Sequence, residues 1–354
     1  ITCGIWKPAY IEIWEDWKVE SARFKTISLE KVSVSSGKAA RVKMAADVHI
    51  ESDIRTEAAI TILCDGKKIC SHKVSLDQGR NSFTCPFTLK NAALWWSNGL
   101  GEASMHNFDI IVEAAGIKAS VSERTGIRTA EVIREDDRWG RSFTVRLNGL
   151  DVFCKGANWI PIDNFPHRRS RDDYDRLIGD AAECNMNMLR VWGGGLYENE
   201  DFYAACDSLG VMVWQDMAFA CGMFPADSAY LASVSAEVRD NIRRLRNHPS
   251  IVLWCGNNEN EISYFEWGWN RTLTGEQQKD YEAGLRRLFY ETIPEAIAME
   301  DDTRYYHPSS PSTGHSGAPY SMGDAHFWSV WKGGWVEEYL KPGNIARFMS
   351  EYGF

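Results

Sequence analysis

The chain has 354 residues, 44% apolar and 25% charged, an ordinary globular composition and enough length for two or three domains. A net charge of −10 argues against nucleic acid or an anionic membrane as partner, and no apolar run has the length of a transmembrane helix. Nine cysteines, without any Cys-x-x-Cys spacing, argue against a disulfide framework or a zinc site and predict reduced, mostly buried thiols, which favours the cytoplasm over the alternatives of a lysosome or periplasm.

Residues 1–17 read as one extended strand, Gly4 to Trp14, with the alternation of a half-buried sheet. A lone strand needs partners, so it is expected to close a sheet whose other strands lie upstream. The start, Ile1-Thr2-Cys3-Gly4-Ile5-Trp6, is not a signal peptide.

From 18 to 130 the pattern is short β-prone runs separated by turn residues: 26–29, 39–44, 58–64, 82–87 and 107–112. This spacing without a convincing helix predicts an immunoglobulin-like β-sandwich. Asp65-Gly66 marks a hairpin turn bracketed by Cys64 and Cys70. The pair Trp95-Trp96 before Asn98-Gly99 offers either a sugar contact or packing against the next domain, and packing is the expectation.

After an Asn148-Gly149 hairpin, strands and helices alternate. Strands are expected over 152–159, 186–192, 211–215, 251–255, 304–307, 322–328 and 346–349. Helices are expected over 172–184 with Ser170 as N-cap, 200–209 with Gly210 at the C-cap, 233–247, and 275–299 with a break at Pro294. Seven strands predict a TIM (β/α)8 barrel that is incomplete in this chain, over residues 131–354, with the eighth strand missing after the last one. A doubly wound fold is the alternative, but Gly193-Gly194-Gly195 lacks the spacing of a phosphate-binding turn.

Two of these strands end in a carboxylate. The run 251–255 leads into Gly256-Asn257-Asn258-Glu259, and the last strand delivers Ser350-Glu351-Tyr352-Gly353. The carboxyl ends of barrel strands face the active site, and two carboxylates across a barrel mouth are what glycoside hydrolysis requires.

Four motifs then carry a specific likeness: Gly156-Ala157-Asn158-Trp159-Ile160-Pro161, Arg190-Val191-Trp192-Gly193-Gly194-Gly195, Trp254-Cys255-Gly256-Asn257-Asn258-Glu259 and Phe348-Met349-Ser350-Glu351-Tyr352-Gly353-Phe354. With the segments 4–8 and 94–101 they resemble glycoside hydrolase family 2, most closely its β-mannosidase branch. The resemblance implies an N-terminal jelly roll reduced here to its last strand, an immunoglobulin-like domain, and a catalytic barrel that retains anomeric configuration without a metal or cofactor. It implies Glu259 as general acid/base and Glu351 as nucleophile.

Glu259 would need a raised pKa to act as an acid near neutrality, through partial burial and the charge of Glu351. Asn258 is a candidate partner of the sugar 2-hydroxyl, and Arg190 of Glu351. Trp192 and Trp267 are candidate platforms for the pyranose, with core packing as the alternative. His326 and Trp328 are candidates for the pocket wall. Asp216 ends the third barrel strand, where an ion pair explains it as well as a substrate contact. Glu261 is expected to be a helix N-terminal charge, and His248 structural. The expected partner is a β-mannoside oligosaccharide or glycoside. A homo-oligomer is left open, as are other exo-β-glycosidases of the family, for galactose, glucuronic acid or glucosamine, and a non-catalytic carbohydrate-binding module.

Overall fold

A computed structural model of the chain describes residues 9–312 and 320–353. The first part consists of β1 (Trp17–Ser33), β2 (Lys38–Ser52), β3 (Thr56–Cys64), β4 (Lys67–Leu76), β5 (Gly79–Ala93), β6 (Met105–Ala114) and β7 (Ile117–Gly126). All pair antiparallel, in one sheet of order β1-β2-β5 and another of order β4-β3-β6-β7. Period-2 burial builds their common core. Val42, Met44, Val48 and Ile50 face Ile60, Ile62, Phe108, Ile110 and Val112, and Phe24 stacks on Phe108 with ring centroids 4.6 Å apart. Asp65-Gly66 takes left-handed backbone at both positions (φ 49° and 75°), which the twist of a two-residue hairpin demands.

The strand expected over 1–17 falls partly outside the described residues, and the 4–8 segment and Phe354 lie wholly outside them. Residues 9–16 carry no strand, and Tyr10, Ile11 and Ile13 are exposed. Cys64 and Cys70 are free thiols; the register puts Cys70 opposite Ile62, not Cys64.

A connecting region follows, with β8 (Ala130–Ile133), a two-residue ladder of β9 (Asp136–Asp137) and β10 (Gly140–Arg141), then β11 (Thr144–Leu147) and β12 (Leu150–Val152). Next come β13 (Gly156–Trp159), α1 (Arg171–Glu183), β14 (Met188–Val191), α2 (Glu200–Leu209), β15 (Met212–Asp216), α3 (Ser228–Leu245), β16 (Ile251–Cys255), α4 (Asn260–Phe265), α5 (Gly275–Arg286), α6 (Ile293–Glu300), β17 (Tyr305–His307), β18 (Asp324–Phe327) and β19 (Phe348–Tyr352). β13 to β17 form a parallel sheet in chain order, and β18 and β19 form a parallel pair. The two pieces bend toward each other. His307 Nε2 lies 2.8 Å from Asp324 Oδ1 at one junction, and Asn158 Nδ2 donates to Ser350 O at 3.0 Å at the other. The result is a partial barrel. Phe143 stacks on Trp214 at 5.6 Å and meets His307 and Phe348 edge-on, so an aromatic from the connecting region fills the interior.

Local sequence explains the helix ends. Ser170 and Asp173 form a reciprocal capping box at α1, and Gly210 closes α2 in left-handed geometry. α3 starts at Ser228, earlier than its apolar periodicity indicates, because Asp227 accepts from the amides of Ala229 and Tyr230. Pro294 does not break its helix. A π-helical turn over Arg287–Thr292 precedes it and absorbs the missing amide hydrogen bond.

The paired tryptophans pack. Trp95 and Trp96 are fully buried, and Trp95 Nε1 donates to Asp207 O of α2 at 2.7 Å. A second latch joins β1 to the barrel through Asp301, which accepts from Arg23 at 2.6 Å, Arg304 at 2.6 Å and Trp254 Nε1 at 3.0 Å. His248 is structural too, lying 2.7 Å from Asp207 and 3.0 Å from Glu200. Among the described residues no helix is long and apolar enough to cross a membrane.

Candidate active site

The carboxyl ends of β13, β14, β15, β16, β18 and β19 converge on one cavity of about 1420 Å³, whose wall includes Arg190, Trp192, Asn258, Glu259, Trp328 and Glu351. The strands β14, β15 and β16 are short and buried throughout, while β13 and β19 turn exposed or half-buried residues, Asn158 and Phe348 among them, into the cavity lining.

Glu259 follows β16 at the N-cap of α4 in left-handed backbone (φ 61°, ψ 12°), a conformation that costs a non-glycine residue of order 1 kcal/mol. The surrounding structure holds it there: its amide donates to Ser310 O at 2.7 Å and its carbonyl accepts from Ser263 N at 3.0 Å. This turn aims the side chain across the barrel mouth. Oε1 lies 2.8 Å from His326 Nδ1, and the Cys221 thiol donates to Oε2 at 3.3 Å. Glu351 lies within β19, which runs on to Tyr352, beyond the expected end at 349. It is paired with His326 of β18 at a register irregularity. Arg190 Nη1 donates to its Oε1 at 2.6 Å and Trp328 Nε1 to its Oε2 at 3.1 Å.

His326 stands between the two carboxylates. Its Nδ1 is 3.5 Å from Glu351 Oε2, and this nitrogen and one oxygen of each glutamate all lie within 4.8 Å of one another. Because Nδ1 is already engaged at hydrogen-bond distance with Glu259, the group is read as an acid–base cluster and not as a metal centre. Cys64, Asp65 and His106 also gather closely, but there both His106 nitrogens are bonded, to Asp65 and to Ala93 O.

Arg190 organises the floor. Besides Glu351 it donates to both oxygens of Asp216 (3.3 and 2.8 Å), to Asn158 Oδ1 at 3.0 Å and to Asn258 Oδ1 at 2.7 Å. Asp216 also accepts from Trp214 Nε1 at 2.7 Å and from Gly193 N at 3.0 Å. Asp216 therefore serves Arg190, and the ion-pair alternative is the one realised. Asn258 has its carbonyl oxygen fixed by Arg190, which leaves its amide group, now 3.6 Å from Cys221 Sγ, as a donor toward the cavity.

The electrostatics of Glu259 reverse the expectation. Burial pushes its carboxyl up, but the hydrogen bond and charge of His326, the Cys221 thiol and the Arg190 charge outweigh it, so the net direction is down. The Cys221 thiol itself is pushed up to about 12 by burial and the Glu259 carboxylate, so it stays a donor.

Trp267 is not brought to the cavity wall. It is exposed beyond α4, against Trp269. Glu261 lies in the first turn of α4 as expected, buried and accepting from Tyr290 OH at 2.7 Å. Four participants carried no sequence signal strong enough to assign them: Asn158, Cys221, Ser310 and Asp324. Asn158 and Asp324 had one in reach, since Asn158 lies within the Gly156–Pro161 motif and Asp324 stands two residues before His326 on the same face of a strand.

The family described as "Glycosyl hydrolases family 2, TIM barrel domain" matches residues 195–281. "Beta-mannosidase B" of Emericella nidulans is 37% identical over all of this chain, and that of Thermothelomyces thermophilus is 35% identical. The chain spans 42% and 41% of their respective lengths. Among solved structures, the β-D-mannosidase of Dictyoglomus thermophilum superposes with a TM-score of 0.84 at 35% identity, over 97% of this chain and 41% of that one. An exo-chitosanase of Amycolatopsis orientalis shares the fold at 18% identity, with a TM-score of 0.66 over 89% of this chain and 34% of that one.

Proposed function

Since the chain belongs to glycosyl hydrolase family 2, we propose that it carries the two-glutamate centre of a retaining exo-β-glycosidase that removes terminal β-D-mannose from non-reducing ends. The observation that carries the reading is the closeness of Glu259 and Glu351 about one cavity, with an oxygen of each inside a 4.8 Å cluster. A pair near ~5 Å suits direct attack by one carboxylate, whereas inversion needs room for a water at ~6.5–9.5 Å.

Glu351, oriented by Arg190 and Trp328, attacks the anomeric carbon while Glu259 protonates the departing oxygen. Water then enters with Glu259 as base and releases the sugar. Asn258 donates to the 2-hydroxyl, a bond that tightens as the oxocarbenium-like state forms. Trp192 and Trp328 offer ring surface to the pyranose.

In the same reading, residues 18–130 form an immunoglobulin-like domain that buttresses residues 131–354. Seven antiparallel strands in two facing sheets support this. The relatives named β-mannosidase favour mannose over the other exo-glycosides.

The test is a panel of 4-nitrophenyl β-glycosides on the intact protein. Turnover of the mannoside, lost in Glu351→Ala, is the expected result. Faster turnover of a galactoside, glucuronide or glucosaminide reassigns the sugar, and equal rates in wild type and Glu351→Ala overturn the enzyme reading.

A further inference from the structure

We infer that Glu259 and His326 hold one proton between them as a single acid–base unit, with His326 the positioning residue that keeps and returns the proton the reaction moves. This rests on the hydrolase reading above for its consequence, but its geometry stands independently.

Ser310, away from the two glutamate carboxylates, fixes one edge of the His326 ring. Its Oγ lies 2.6 Å from Asp324 Oδ2 and 3.0 Å from His326 Nε2. A hydroxyl has one proton to give. Asp324 is fully buried. Burial alone would push its carboxyl up, but His307 at 2.8 Å, His326 and Ser310 outweigh this, so it stays ionised. Asp324 also accepts from Ser350 Oγ at 2.6 Å and Ser312 N at 2.8 Å. The Ser310 proton therefore goes to Asp324, and Ser310 Oγ accepts from His326 Nε2–H. One ring nitrogen is thus committed as a donor, as the orienting partner of a functional histidine usually arranges.

The other nitrogen, Nδ1, faces Glu259 Oε1 at 2.8 Å. A bare Nδ1 against a carboxylate oxygen at that distance would set lone pair against lone pair. A proton must lie between them, as O–H···N or as O⁻···H–N⁺. Either form gives the pair one transferable proton. The other groups facing this pair are Glu351 at 3.5 Å from Nδ1, Cys221 on Oε2, and Arg190, held on the far side by Asp216, Asn258 and Glu351. Glu351 sets a negative charge 3.5 Å from Nδ1 as a carboxylate. It loses that charge when it becomes an ester.

The proton then balances through both steps. In the first, the C1–O bond breaks, the Glu351–C1 bond forms, and the shared proton passes through Glu259 Oε1 to the leaving oxygen. Glu259 is left as a carboxylate beside neutral His326, and their contact lengthens until the second step returns a proton to it. In the second, water gives a proton to Glu259 as its oxygen bonds to C1 and the ester bond to Glu351 breaks. The charge returning to Glu351 draws the proton back between Glu259 and His326. A carboxyl whose net shift is downward can in this way still deliver a proton near neutrality.

Two measurements on the intact protein test this. First, His326→Gln keeps a hydrogen-bonding side chain but cannot store a proton. Its kcat/KM should fall about 10²-fold or more for phenyl β-mannoside, which needs protonation, and less than about 10-fold for the 2,4-dinitrophenyl glycoside, which does not. The alkaline limb of the phenyl-substrate profile should move to lower pH. Equal losses on both substrates with an unmoved limb overturn the inference. Second, ¹⁵N NMR of labelled histidine needs no turnover and no substitution at His326. At pH 7 the wild type should show Nδ1 carrying or sharing a proton, and Glu259→Gln should show a bare Nδ1 with Nε2 still protonated. A bare Nδ1 in the wild type overturns the inference even if the enzyme is active. A shared proton in a protein that cleaves no glycoside upholds the pair and overturns the hydrolase reading alone.

Discussion

Arg190 Nη1 lies 2.6 Å from Glu351 Oε1, and the same planar guanidinium reaches Asp216, Asn158 and Asn258 through its remaining donors. One side chain at the end of β14 thereby fixes Glu351, the proposed nucleophile, Asn258 beside the proposed acid/base, and two further barrel strands. Lysine offers three donors from a point, not five in a fork. Arg190→Lys should leave the protein folded and lower kcat/KM on an aryl β-mannoside by about 10²-fold or more, since small misplacements of reacting groups cost that much. Activity within about threefold of wild type, with the fold intact by circular dichroism, would show that the clamp does not position Glu351.

Asp301 gathers Arg23, Arg304, Thr303 and Trp254 at the seam between β1 and the barrel. Removing the charge takes from the buried Arg304 guanidinium its carboxylate partner and from Arg23 one of two hydrogen-bonded carboxylates, Asp302 remaining at 2.7 Å, which costs about 3–5 kcal/mol. Asp301→Ala should shift the urea midpoint down accordingly. A midpoint unchanged within error would mean that the seam is held by apolar contact alone.

His248 sets a pH window for stability. Burial disfavours its charged form, but the carboxylates of Asp207 and Glu200 outweigh this and raise its pKa to about 9, above an ordinary value of 6.5. A group raised on folding contributes fully below its unfolded pKa and loses that contribution as pH climbs through its folded one. Stability should therefore fall by about 1–3 kcal/mol between pH 6 and pH 9.5 from this residue. Denaturant titrations of wild type and His248→Gln at the two pH values check it: the variant should lack that part of the decline. An identical decline in both would assign the slope to other groups.

Much of this was readable in the sequence, for physical reasons. A buried parallel strand must be apolar and its mouth-facing end polar, so Ile251–Cys255 followed by Asn258 and Glu259 announces itself. β4 and β7 are weaker in the sequence because their apolar faces are short, Val74 and Leu76 in one and Ile117, Ala119 and Val121 in the other, and the alternation is diluted by the polar His72, Glu123 and Thr125. The reversed shift of Glu259 was beyond reach for another reason. Its dominant neighbour, His326, lies 67 positions away and meets it only when β16 and β18 close toward each other. Cys221 and Ser310 share that difficulty, since each acts through a contact made by the fold. Trp267 shows the opposite error: an aromatic near the right motif, carried outside by the turn after α4.

The central claim is that Glu351 and Glu259 act on one sugar from opposite sides. It is tested most directly by incubating the intact protein with a 2-deoxy-2-fluoro-mannoside bearing a good leaving group, then digesting it and mapping the adduct by mass spectrometry. The account predicts one covalently bound sugar on the peptide containing Glu351, formed more slowly on a poor leaving group in Glu259→Gln. Turnover of mannosides without any adduct, or an adduct on a different carboxylate, would contradict it.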